Sequence, residues 1–353
     1  MIDREMTYEV EAVPQPPGPS NDRLRGMLLG VAIGDSLGNT TESINPSQRR
    51  ERHGEITDYL PNRWADDREV GVPSDETQLT FRTIQSLLET GRIDPEDLIE
   101  RFADEEIFGG GHAVERAVEA YNYGANWREA GEPSAGNGAL VRIAPVVLPH
   151  LPTAGRQLWE DVVFATMITH NDEMAVVASV GFTGLLFEVF GAGPTEAMGE
   201  WWVDKFVKYA RPVETDREYP SRSPHVSFQG TLCDMLETHM RRAAEGYISI
   251  VDACDTWYSG AYLLETVPSA LLILARCADD PEEALIRAVN DTRDNDSIAA
   301  VVGAAVGALH GPDAFPDRWV ENLTGRMGAD DDGRVQELID QAIDRFGLRA
   351  AGE

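Results

Sequence analysis

The stretch GMLLGVAIGDSLG, residues 26–38, sets Gly26, Gly30, Gly34 and Gly38 at every fourth position among apolar residues. Positions four apart share one face of an α-helix. Each glycine inside a helix costs roughly 1 kcal/mol relative to alanine. A helix that keeps four of them on one face is making room for something close to its backbone. A second stripe, Gly303, Gly307 and Gly311 in GAAVGALHG, repeats the spacing near the other end of the chain. Removing side chains from one face lets backbones approach, as small-xxx-small faces do. The two striped helices are expected to pack tightly, against each other or each against its own neighbour, and to hold close whatever stands at their ends.

Helical spacing governs the rest as well. Apolar residues recur three and four apart over 22–37, 77–90, 95–104, 112–123, 155–169, 172–190, 195–210, 228–245, 262–277, 281–289, 297–309 and 333–346. Alternating stretches are scarce. Proline, glycine and asparagine gather between the segments, as in GEPSAGNG and REYPSRSPH. No linker, compositional break or internal repeat divides the 353 residues, of which 42% are hydrophobic. The expectation is one all-α, multi-helix domain over 21–350. Residues 1–20, ending in VPQPPGPS, are acidic and proline-rich and are expected to form a disordered arm.

Charge narrows the function classes. Sixty-one acidic residues face 30 basic ones, for a net charge of −31, and only Lys205 and Lys208 of the basic set are lysines. Non-specific nucleic-acid binding needs cations to displace counterions from phosphates, so it is not expected here. The three cysteines, Cys233, Cys254 and Cys277, form no CxxC pair or Cys/His cluster, which argues against a disulfide framework and a zinc site. The opening MIDREMTYEV lacks the basic and apolar regions of a signal peptide. The longest apolar run, AVVASVGFTGLLFEVFGAG, carries Glu188 and is not expected to span a bilayer. A reduced, cytoplasmic protein without a membrane segment is the expectation.

Three acidic motifs stand at helix ends. Asp35 lies inside the first glycine stripe, with Glu42 following in TTES. Ser74, Asp75 and Glu76 open SDETQLTFRT. Asp294, Asp296 and Ser297 lead into the second striped helix. Each of the last two could be an ordinary helix start, with a serine or aspartate cap and acids in the first turn. The last lacks the glycine and distal glutamate of a calcium loop. Together the two offer only oxygen ligands, which suit a hard divalent cation, magnesium before manganese. If the two helix starts face each other, their carboxylates repel one another unless cations intervene. Two metals there would leave open positions for a substrate.

The ordered set RLRGMLLGVAIGDSLGNTTES, SDETQLT, SAGNGALVRIAPV, THNDEMA, AYLLETVPSAL and DNDSIAAVVGAAVGALHG, over roughly residues 22–312, resembles the ADP-ribosylglycohydrolases. The resemblance implies an all-α domain with a binuclear magnesium or manganese centre. It implies Ser74, Asp75, Glu76, Asp294, Asp296 and Ser297 as metal ligands, and Glu42, Asp75 or Asp296 as the groups that move the proton. It implies Gly136, Asn137 and Gly138 as the loop approaching ADP-ribose, His170 as a substrate-side residue and Tyr262 as a stacking partner. Each of these has a plainer reading: a tight turn for the glycines, a core histidine, a packed tyrosine. A turn with two glycines flanking an asparagine nonetheless exposes backbone N–H groups of the kind a pyrophosphate uses. Phe108–Gly111 is a further flexible loop and a possible site wall, and Trp64 and Trp127 have no assigned role.

Three positions depart from the family's pattern. Glu76 replaces an aspartate, Asn295 stands where threonine is common, and Arg293 stands where glycine is usual, with Asp291 as its expected ionic partner. The ligands survive these changes, so they bear on substrate choice more than on catalysis. The implied reaction is hydrolysis at C1″ of ADP-ribose attached to an acceptor, arginine on a protein first. Other linkages (serine, a nucleic-acid base, a small molecule) and a non-catalytic ADP-ribose binder are the alternatives. A helical phosphohydrolase is disfavoured because no adjacent histidine–aspartate pair occurs among the seven histidines.

Overall fold

Helix α1, Asn21–Gly38, starts where the Ser20 side chain accepts the Arg23 N–H. It is buried almost without break from Gly26 to Gly38, as a helix at the centre of a fold must be. The computed structural model describes residues 20–244, 248–328 and 333–347; the expected arm lies outside them except for Ser20. Helix α2 is Asp75–Thr90, α3 Glu173–Gly191, α4 Leu263–Cys277 and α5 Asn295–His310.

The glycine stripes of α1 and α5 face each other. A Cβ on Gly30 would stand 2.0 Å from the Gly303 carbonyl oxygen, and one on Gly303 would stand 2.1 Å from that of Gly30. Gly26 meets Gly307 and Gly34 meets Ala299 in the same way. At the far end, a Cβ on Gly38 would lie 2.5 Å from the Asp296 Cα. The helices are antiparallel, backbone on backbone. The end of α1 therefore arrives at the start of α5. Gly38 serves this close approach; it does not turn the chain, because α1 runs through it in helical conformation.

The remaining helices wrap this pair, and α3 and α4 both pack on α5. Arg23 reaches from α1 to the last carbonyls of α3, donating to Val189, Phe190 and Ala192. A cation there also meets the negative end of the helix dipole. Among the described residues α3 alone is long and apolar enough, by length and composition, to cross a membrane. However, 89% of its apolar window is buried within the fold, as for a core helix. Glu188 is held there by both lysines of the chain, Lys205 and Lys208, at 2.9 and 2.8 Å.

Most expected helices fall within a few residues of their observed ends. The one expected over 195–210 starts only at Trp201, because Gly199 takes a left-handed conformation (φ +58°). The one expected over 228–245 opens instead as a strand, Gln229–Gly230, paired with Tyr219–Pro220. Thr231 and Asp234 then form a reciprocal capping box that starts a helix at Leu232. A second small hairpin pairs Pro61 with Glu69 and Asn62 with Arg68. The helix Pro46–His53 was hidden by its polarity: only Pro46 and Arg49 are buried.

Candidate metal centre

The start of α2 is capped from a distance. Ser74 occupies the N-cap position but its side chain caps nothing. The capping acceptor is Asp35, fully buried in α1. Its carboxylate accepts the N–H groups of Ser74 and Thr77 at 2.9 and 3.1 Å, and both their hydroxyls at 2.5 Å. Asn39 adds a donor at 3.0 Å. With the Ser74 and Thr77 N–H groups satisfied by Asp35, Asp75 and Glu76 are left to present their carboxylates, while the Ser74 hydroxyl is held by Asp35. Asp75 is fixed further by its N–H, which donates to the Phe108 carbonyl at 3.0 Å. Gly109, at φ +91°, follows so closely that a Cβ there would lie 3.4 Å from Asp75 Oδ1. The Phe108–Gly111 loop is thus a wall of the acidic pit.

The start of α5 repeats the pattern. Asp294 sits at the N-cap position and also makes no capping bond. Its Oδ2 accepts from the Asn137 side-chain amide at 2.5 Å, and that amide also donates to Thr266 at 3.0 Å. Both starts thus have the N-cap residue and first-turn acids of the plain helix-cap reading, but in neither does that residue make the capping bond. Glu76 bridges the two starts: its Oε1 accepts from Ser297 Oγ at 2.7 Å, and its Oε2 lies 3.1 Å from Ser74 Oγ. Glu42, Asp294 and Asp296 each offer a carboxylate oxygen within 4.8 Å of the others.

Two buried side chains hold the Glu42 turn in place. Arg49 donates to Thr41, Ile44 and Thr292, stitching the segment around Glu42 to the one before Asp294. Asn295 donates to the Gly38 carbonyl and Thr41 Oγ1, both at 3.0 Å. Asn295 is fully buried, so its departure from the family pattern is taken up in packing rather than in the pit. The expected Asp291–Arg293 pair does not form: Asp291 meets Arg287 at 3.3 Å and Arg293 meets Asp255 at 2.9 Å. Arg287 lies one helical turn before Asp291 on the same helix face, whereas residues two apart do not face each other.

So many carboxyls in one pit disfavour full ionisation. Burial, then the neighbouring Glu76, push Asp294 up to about 6 and Asp35 to about 6, against the pull of their hydrogen-bond donors. Glu42 belongs to an exposed residue, but its carboxyl is desolvated and faces Glu76, Asp294 and Asp35, which raises it to about 7. Asp75 and Asp296 are also driven well above the usual carboxylate range, by burial and then by Glu76. Such repulsion in an all-oxygen donor set is what hard divalent cations relieve, and the residues present fit them.

The substrate-side candidates line the adjoining wall. Gly136 pairs with Tyr262; its N–H donates to Ser134 Oγ at 3.1 Å and the Asn137 N–H to the Ala261 carbonyl at 2.9 Å, so these two groups, expected to lie open to a pyrophosphate, are bonded within the protein. Gly136 and Gly138 lie on the edge of His170: Cβ atoms there would stand 3.4 and 3.1 Å from its ring. His170 is buried, and burial together with Arg142 lowers it to about 3, so the ring is neutral. Arg142 donates to Thr169 Oγ1, which leaves the Thr169 hydrogen for His170 Nδ1 at 2.9 Å. The ring proton then resides on Nε2, on the side of the glycine loop. Tyr262 is buried, with the Arg222 guanidinium 4.1 Å over its ring. Sequence reasoning missed the capping role of Asp35, the tie from Asn137 to Asp294, and Arg49. The placement of Asp35 between two helix-face glycines was the one available signal.

Comparisons with known proteins bear on the family and the fold. The model of a family described as ADP-ribosylglycohydrolase matches residues 16–351. An ADP-ribosylarginine hydrolase of Pseudomonas putida is 25% identical, over 93% of this chain and 80% of its own. The ADP-ribosyl-[dinitrogen reductase] glycohydrolase of Rhodospirillum rubrum is 25% identical, over 91% of this chain and 97% of its own. A solved structure titled an ADP-ribosylglycohydrolase-related protein complex superimposes with a TM-score of 0.65 at 25% identity, covering 93% of this chain and 99% of that one.

Proposed function

This chain belongs to the ADP-ribosylglycohydrolase family, and from that premise we propose that it hydrolyses the bond joining ADP-ribose to a modified acceptor, ADP-ribosylarginine on a protein first. The observation that carries the reading is the convergence of Glu42, Asp294 and Asp296 within 4.8 Å, beside two helix starts whose acidic tips cap nothing of their own. The printed activities of the Pseudomonas and Rhodospirillum relatives support the choice of a modified protein as substrate.

Ser74, Asp75, Glu76, Asp294, Asp296 and Ser297 are the residues that would hold two magnesium or manganese ions. Bound there, the ions supply Lewis-acid contacts to the ribose hydroxyls and a more acidic water. The chain's own groups do the rest. The Gly136–Gly138 loop, with His170 behind it, receives the diphosphate. Glu42, raised to about 7 at the open end of the pit, takes a proton from the attacking water near neutral pH. The water oxygen bonds to C1″ as the C1″–nitrogen bond breaks. The bond's electron pair goes to the guanidine, which takes up a proton and leaves as a cation. The surrounding carboxylates favour that cation. Asp75 and Asp296 are the other carboxyls within reach of this proton traffic. The three free cysteines agree with a reducing cytoplasm as the place of work.

The test is release of ADP-ribose from an ADP-ribosylarginine protein with magnesium, with manganese and with chelator, beside a D294N/D296N double variant. Cation-dependent release that the double variant loses supports the reading. Binding of cation and ADP-ribose without release keeps the site and discards this acceptor.

A further inference from the structure

Trp64 is 65% exposed, in a molecule that buries most of its large apolar side chains. It sits in the short hairpin loop that leads into Ser74. Two guanidinium groups flank its ring, Arg63 at 4.9 Å and Arg326 at 5.9 Å. Arg326 also lies 4.0 Å over the Phe108 ring and donates to the Pro73 carbonyl at 3.4 Å. Pro73 and Phe108 are the immediate neighbours of the acidic tip, through the chain and through the Asp75 N–H. The Trp64–Arg326–Phe108 stack therefore stands at the lip of the pit, over the side formed by α2.

Neither Arg63 nor Arg326 has a carboxylate within ion-pair distance among the described residues, although the chain carries twice as many acids as bases. Asp66, Asp67 and Glu69 of the same loop are exposed and pair with neither. Arg326 Nε is buried without any hydrogen-bond partner. Because that Nε is enclosed, the groups left for a planar anion are the Arg326 Nη edge beyond its Pro73 contact and the exposed Arg63 guanidinium. A second guanidinium would be repelled from this lip, whereas the pit below attracts one.

We propose that Trp64, Arg63 and Arg326 form a subsite for the acceptor polypeptide, selecting segments that carry a carboxylate side chain beside the modified arginine. The proposal rests on the hydrolase reading above. The pit takes the modified guanidine and the lip takes its acidic neighbour, with Trp64 covering the aliphatic stem between them.

Three ADP-ribosylarginine peptides that differ only in the flanking residue, Glu, Gln or Lys, test it. Each is measured for ADP-ribose release and, by anisotropy of a dye-labelled copy before turnover, for Kd. The wild type is expected to favour the Glu peptide over the Lys peptide about tenfold in both, with the ratio shrinking in 0.5 M salt. R63Q and R326Q should each cut the ratio to about threefold, and W64A should weaken all three Kd values by about threefold or more. Arg63 and Trp64 are exposed, so R63Q and W64A keep the test alive if R326Q fails to fold. Release without charge order overturns the subsite and spares the hydrolase. Charge-ordered Kd without release overturns the hydrolase and spares the subsite. Absence of both release and binding overturns the two together.

Discussion

The side-chain amide of Asn137 donates to Asp294 Oδ2 across 2.5 Å, joining the glycine loop to the acidic start of α5. A hydrogen bond to an ionised group contributes about 1.5–3 kcal/mol, and losing an outer partner of a metal ligand costs about 10–100-fold in affinity. N137A should therefore weaken magnesium and manganese binding by that factor. Calorimetric titration checks it; unchanged affinity would mean that Asp294 is positioned without Asn137.

The glycine seam should tolerate no side chain. A methyl group at Gly303 would lie 2.1 Å from the Gly30 carbonyl oxygen, so the helices must separate. Overpacking of this kind costs about 1–3 kcal/mol or more. Because the seam ends at Asp296, G303A should lower cation affinity together with urea stability. A variant that folds with full cation affinity would disconnect the seam from the pit.

Protons and cations should compete for the pit. Asp35, Glu42 and Asp294 are raised to about 6, 7 and 6 in the folded protein, above their unfolded values. The stability this gives is complete below about pH 4 and is lost as pH rises through 6 to 7. Chelated protein should thus lose this contribution towards pH 8, and added magnesium should raise Tm more at pH 8 than at pH 5. Equal shifts at both pH values would refute the competition.

His170 acts in the opposite direction. Its lowered value of about 3 means that the unfolded chain binds the proton first as pH falls. Its contribution is full above about pH 6.5 and is lost down to about pH 3. H170Q should remove about 1.4 kcal/mol per pH unit from the slope of unfolding free energy between pH 6 and 4. Denaturation curves at the two pH values measure this, and an unaltered slope would assign the acid loss to other groups.

The glycine stripes were legible because close packing of two backbones forces a periodic absence of side chains. The acidic tips were legible because they stand at helix starts, where local spacing marks them. The capping of Ser74 and Thr77 by Asp35 was not legible, since donor and acceptor lie on different helices and no local period couples them. The same holds for Arg49, which appears in sequence as one charge of a polar run and in space as a buried clamp on Thr41 and Thr292. The late start at Leu232 turned on a capping box inside a longer apolar pattern. Tyr262 was legible as a residue near the loop, but its cover by Arg222 came from a hairpin that composition did not announce.

The seam between α1 and α5 joins two helices that lie far apart in the sequence and so leave the ribosome at different times. At about 5–20 residues per second, α1 waits on the order of ten to fifty seconds for its partner. During that time its bare glycine face has nothing to lie against, and the two halves of the pit are apart. Contacts so distant in sequence also form late in refolding. A chain that stops short of α5 therefore has only half of the acidic pit.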